Sequence, residues 1–183
     1  MKSIKYTLIL IPVFILSACI QPVRAQENVF IKEYIERLEQ SKEYLILVAE
    51  TMPEAQYKFR ATAESLSFEE HLMHIAWAMD WHSQSLIGGR KARDWNTDTT
   101  LKVDNKSKKE MIATIAETFD TTINFIANLD LDIPDERLDY FGANRTKRQI
   151  LLLLADHITH HRAQMLVNMR LNGLKPPRYV LYQ

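Results

Sequence analysis

The sequence predicts an all-α protein, a four-helix bundle with long connections. Four long segments repeat apolar residues at spacings of three and four, three of them open on a capping box, and no stretch sustains strand-like alternation. A chain of 183 residues with 46% hydrophobic residues can bury one sizeable core without crosslinks.

The first helix is expected from Asn28 to Met52, with Phe30, Tyr34, Leu38, Leu45, Val48 and Met52 on its apolar face, and it stops before Pro53. The second opens at Ser67-Phe68-Glu69-Glu70, where Ser67 and Glu70 can satisfy free backbone N–H groups. It runs to Leu86 or Ile87, before Gly88-Gly89. The third opens on the capping box Ser107-Lys108-Lys109-Glu110 and carries Met111, Ile115, Phe119 and Ile126 towards Asn128. The fourth opens at Thr146-Lys147-Arg148-Gln149 and extends to Asn172, with Gly173 as C-cap and Pro176-Pro177 beyond. The connections from Gly89 to Asn105 and from Leu129 to Arg145 exceed tight hairpins, so at least one crossover is expected. Leu138 to Phe141 has extended character, but four residues alone do not predict a strand.

Residues 1–25 read as an export signal, ahead of a helical domain over residues 26–183. Lys2 and Lys5 precede an apolar run from Tyr6 to Ala18, interrupted by Pro12 and too short for a permanent membrane span. Two processing sites fit. Leu16-Ser17-Ala18-Cys19 resembles a bacterial lipobox, in which Cys19 is acylated and becomes the N-terminus. Val23-Arg24-Ala25 fits ordinary cleavage after Ala25. The protein is thus expected to be exported, as an outer-membrane lipoprotein or a soluble periplasmic protein of a bacterium. Cys19 is the only cysteine, so an intramolecular disulfide is excluded.

Formal charges balance at 23 basic and 23 acidic residues. Without residues 1–18, which hold Lys2, Lys5 and no acid, the count is 21 against 23, net −2. Without residues 1–25, which also hold Arg24, it is 20 against 23, net −3. A mildly acidic body argues against nucleic acid, and Lys102, Lys106, Lys108 and Lys109, interleaved with Asp104 and Glu110, read as a solvated loop. Gly88-Gly89 lacks the lysine of a phosphate loop, and no G-x-S-x-G motif signals a serine hydrolase.

All six histidines fall on two helices: His71, His74 and His82 on the second, and His157, His160 and His161 on the fourth. Residues four apart share a helix face, so His157 and His161 can direct two imidazoles at one metal ion. The stripe Leu154, His157, His161, Gln164 or Met165, and Asn168 turns both inward, with His160 to one side. A third ligand is expected from the second helix, and periodicity does not choose between His71 and His74. A lone core-facing histidine is more often a hydrogen-bonded core residue than a ligand, and it is the clustering that favours metal. Trp77 and Trp81 read as core packing.

The run Ser67-Phe68-Glu69-Glu70-His71-Leu72-Met73-His74-Ile75-Ala76, the segment His157-Ile158-Thr159-His160-His161-Arg162-Ala163-Gln164 and the tail Arg170-Leu171-Asn172-Gly173 to Pro176-Pro177 together resemble the DinB-like superfamily. The resemblance covers most of the chain after the leader. It implies a DinB-type four-helix bundle, frequent homodimers, and a divalent transition metal such as zinc or nickel held by His74, His157 and His161. It supplies no reaction, and the family's damage-inducible name is no evidence of DNA binding.

Three neutral imidazoles suit borderline metals and leave a coordination position open. Such a site can activate water for hydrolysis or hold a substrate thiolate. Some relatives act with small cytoplasmic thiols, so the export signal ranks hydrolase-type chemistry above thiol transfer, with an unknown small-molecule substrate. The alternative is a non-catalytic module that binds metal or a small ligand at the cell envelope. Asp80, His71, His82, His160 and Asp156 are the candidate general bases, with Asp156 turned about 100° from His157. Arg162 and Gln164 are expected at the helix surface, as interhelical or dimer contacts.

Overall fold

The computed structural model describes residues 23–129 and 135–179. Cys19 and all but the last three positions of the expected leader lie outside the described residues. Four long helices dominate: α1 (Val23–Thr51), α2 (Phe68–Asp80), α3 (Lys108–Ala127) and α4 (Lys147–Leu171). α2 continues without a break into a π-helical segment, Trp81–Ile87, in which the Gly88 N–H donates to the carbonyl of Ser83. A 3-10 turn, Glu54–Gln56, follows α1. Among the described residues no helix is long and apolar enough to cross a membrane.

All three capping boxes form. The Ser67 hydroxyl accepts from the Glu70 N–H while the Glu70 carboxylate accepts from the Ser67 N–H, and Ser107 with Glu110 and Thr146 with Gln149 repeat the exchange. At the other end of the second helix, a side chain at Gly88 would meet the carbonyl of Gln84 at 2.7 Å and the Phe125 ring at 2.9 Å, so only glycine allows this close approach to α3.

The apolar faces meet in one core. Leu38, Leu45, Val48 and Met52 of α1 are buried with Leu72, Ile75 and Met79 of α2, with Met111, Ile115 and Phe119 of α3, and with Ile150, Leu154 and Met165 of α4. α1 packs chiefly on α3, and α2 packs on both α3 and α4. Among the described residues, neither α1 and α2 nor α3 and α4 are principal neighbours. α1 and α2, and likewise α3 and α4, therefore sit across the core from each other, whereas α2 and α3 are direct neighbours despite the long connection between them. The Tyr34 hydroxyl, donating to the Leu151 carbonyl at 2.6 Å, ties α1 to α4.

One element exceeds the sequence expectation. β1 (Arg137–Tyr140) and β2 (Ala143–Thr146) pair antiparallel, with Tyr140 opposite Ala143. The two turn residues, Phe141 and Gly142, have φ of 52° and 82°, the pattern of a type I′ hairpin. Phe141 is a costly residue for positive φ, so the turn lacked its usual Asn-Gly signature. The hairpin leads directly into the N-cap of α4 at Thr146.

Candidate metal centre

α2 and α4 lie side by side, and this pairing brings the two histidine groups together. One ring nitrogen from each of His74, His157 and His161 lies within 4.8 Å of the others. The ring centroids are 4.5 Å apart for His74 with His161, 4.5 Å for His157 with His161 and 5.1 Å for His74 with His157. The i, i+4 spacing on α4 thus does what helix geometry requires. His161 is buried, and His74 and His157 are half-buried.

Burial sets the protonation of the cluster. Loss of solvent pushes the His157 imidazolium down to about 4, helped by the neighbouring His74, His82 and His160. The same cause takes His161 to about 3, with His74, His157, His71 and His160 adding to it, and lowers His74. All three rings are neutral at pH 7 and keep a lone pair. His157 Nε2 is buried without a hydrogen-bond partner, an arrangement that costs free energy unless a ligand occupies it. The donor set therefore fits a borderline divalent metal.

The two histidines between which periodicity left the choice open lie in different places. His74 belongs to the triad. His71, more deeply buried, meets His161 through its own Nδ1, at 2.9 Å from Nδ1 of His161. Burial lowers His71 to about 4, helped by His74 and His160 and opposed by Glu70.

The other candidate bases are engaged or turned outward. Asp80 receives Arg90 and, at 3.1 Å, Nε of Arg93, whose Nη1 also reaches Asp98 at 2.8 Å. This network pins the connection over residues 88–105 to the second helix. His82 Nδ1 donates to the Ala78 carbonyl at 2.7 Å, which leaves Nε2 to accept from the Tyr140 hydroxyl at 3.1 Å. His160 is exposed, edge-on to His161. Asp156 is exposed beside Arg37 at 3.9 Å, as its position next to His157 implied.

Two expectations need correction. Arg162 is not at the surface but 1% exposed, donating from Nη1 to the Ser41 hydroxyl at 2.8 Å, although its interhelical role holds. Gln164 is exposed. Trp77 packs partly buried against the core, whereas Trp81 is only half-buried and stacks on the exposed Phe141 of the hairpin. The helix stripe was right at Leu154, Met165 and Asn168, but a guanidinium on a long stem can bury where pattern alone expects water.

A cavity of about 340 Å³ adjoins the cluster through His74. Leu66, Met73, Trp95, Leu101 and Val103 form most of its wall, with Glu70, Lys102 and Asp104. Sequence reasoning missed this wall, because it read the lysines of the connection as solvated and passed over Trp95, Leu101 and Val103 between them. Those three apolar residues in a polar stretch were the available signal.

A family model described as the DinB family matches residues 26–182. Two crystal structures share the fold. The DinB-like protein YjoA of Bacillus subtilis superposes with a TM-score of 0.63 at 18% identity, over 85% of this chain and 100% of that one. A DinB-like protein of Bacillus cereus gives 0.64 at 18% identity, over 84% of this chain and 97% of that one. No curated protein matches the chain in sequence.

Proposed function

The chain belongs to the DinB family, and from that premise we propose that His74, His157 and His161 hold a divalent transition metal, zinc or nickel, for hydrolase-type chemistry on a small substrate. One observation carries the proposal. Three neutral imidazoles from two helices converge, and one of their ring nitrogens, His157 Nε2, is buried with nothing to bond. A metal bound there supplies a Lewis acid that activates water or a thiolate near neutral pH.

The residues around it have definable tasks. His71 would hold the ring of His161 through the Nδ1 contact, leaving Nε2 of His161 as the nitrogen to offer a metal. The Asp80, Arg90 and Arg93 network and the Trp77–Trp95 contact hold the connecting segment against α2, which shapes the approach to His74. With no carboxylate in the triad, a bound divalent ion keeps its charge and favours an anionic or polarisable substrate head. Thiol transfer ranks second, because Lys2, Lys5 and the apolar run to Ala18 favour export, either anchored at Cys19 or released after Ala25. A non-catalytic binding module is the competing reading, favoured by the engagement of Asp80 and His82 in other contacts.

Cobalt(II) reconstitution tests the proposal. Visible absorption of the intensity expected for a four- or five-coordinate site, altered by azide and absent from His157→Ala, supports an open three-histidine centre. A spectrum of free aqueous cobalt in the wild type refutes it. Ester hydrolysis that is lost on chelation and restored by zinc or nickel then separates the enzyme from the binding module.

A further inference from the structure

We propose that the cavity beside His74 binds an uncharged apolar chain or ring, so that the substrate joins a polar metal-binding head to an acyl or aryl body. The inference rests on the proposed metal centre and names what that centre acts on.

The cavity, at about 340 Å³, falls at the lower end of the range typical of small-molecule sites, roughly 300–1,000 Å³. His74 is the one member of the triad in its wall, so a ligand lying in the cavity has one end at the cluster. The rest of the wall is mainly apolar: Leu66 just before the second helix, Met73 within it, and Trp95, Leu101 and Val103 from the connection that follows it. Trp95 is placed by edge contacts with Trp77 at 4.6 Å and with His74 at 6.1 Å between ring centroids. It is nonetheless 50% exposed, as an indole waiting to cover an apolar ligand would be.

The charges on the wall argue for a neutral body. The Lys102 ammonium sits 4.8 Å from the Trp95 ring and donates to the Trp95 carbonyl, so it serves the wall. Glu70 is held by Arg60 and by the Ser67 N–H, and Asp104 adds a second carboxylate. A second anionic group on the ligand would meet these carboxylates, which disfavours dicarboxylates and small hydrophilic thiols that carry carboxyl groups.

Calorimetry of the zinc-loaded protein with acetohydroxamic, butanohydroxamic, hexanohydroxamic and octanohydroxamic acids tests this. The proposal expects affinity to rise about threefold to fourfold per methylene until the cavity is full. The monohydroxamate of succinic acid should bind no better than acetohydroxamate. Leu66→Asp and Val103→Asp, each checked for fold by circular dichroism, should flatten the series, while Leu153→Asp on the exposed face of α4 keeps its slope. A flat wild-type series, or an unchanged slope in both cavity variants, overturns the apolar site and leaves the metal centre standing. Failure of acetohydroxamate itself to bind overturns the metal centre and this substrate class with it.

Discussion

His71 and His161 face each other through their Nδ1 atoms at 2.9 Å, a contact between α2 and α4 in which only one of the two nitrogens carries the proton. If His161 gives its Nε2 lone pair to a metal, its Nδ1–H donates and His71 accepts. Removing the acceptor frees the ring and leaves a buried N–H unpaired, and losses of this kind typically weaken metal affinity about 10- to 100-fold. His71→Ala should therefore raise the zinc dissociation constant by that factor in a chelator competition. His71→Gln, whose amide oxygen can accept, should recover part of the loss. Equal affinity in wild type and His71→Ala would contradict the positioning role.

The depressed histidines give the metal-free protein a pH signature. His71, His157 and His161 titrate at about 4, 4 and 3 in the fold, against about 6.5 in the unfolded chain. Below pH 6.5 the unfolded chain binds protons that the native state refuses, so stability falls as pH drops towards 4. Above 6.5 these groups contribute no slope. Urea midpoints of the metal-free protein at pH 7.0, 6.0 and 5.0 should decline in that order, less steeply in His161→Gln. A midpoint that rises on acidification would show that the cluster is not buried neutral.

Among the described residues Arg162 pairs with no carboxylate; it is buried between the Ser41 hydroxyl and the rings of Tyr44 and Tyr179, at 5.2 and 5.6 Å from the ring centroids. Burial lowers its pKa, which marks the unpaired charge as costly. Truncation to alanine should cost about 2–4 kcal/mol through lost packing. Arg162→Met keeps much of the stem and sheds the charge, so it should stay within about 1 kcal/mol of wild type. Urea denaturation distinguishes the two, and a methionine variant as unstable as the alanine would show that the guanidinium itself holds the helices.

The proposed lipid anchor rests on Cys19. In a bacterial host, the full chain should incorporate labelled palmitate, and Cys19→Ala should not. Labelling that survives the substitution removes the lipid anchor and leaves cleavage after Ala25 as the export reading.

The fold was legible where local rules act. Ser67 with Glu70, Ser107 with Glu110 and Thr146 with Gln149 announce helix starts through hydrogen bonds that need only four residues. His157 and His161 were legible for the same reason, since one helical turn separates them. What the pattern could not decide depends on distant packing. His71 and His74 differ in placement only because α4 meets α2 at one rotation, and the resemblance, not periodicity, favoured His74. The hairpin at residues 137–146 stayed hidden because Phe141 occupies a positive-φ position that usually signals Asn or Gly. The cavity wall at Trp95, Leu101 and Val103 exists because Asp80 gathers Arg90 and Arg93, a pairing across ten or more residues that no spacing rule reports.

The central claim is that three histidines on two helices hold one metal. Elemental analysis of the mature domain, purified without chelator and reconstituted with zinc or nickel, tests it most directly beside folded His74→Ala, His157→Ala and His161→Ala variants. Close to one metal per chain is expected in the wild type and little in any variant. A wild type that stays empty after reconstitution, or variants that keep their metal, would contradict it.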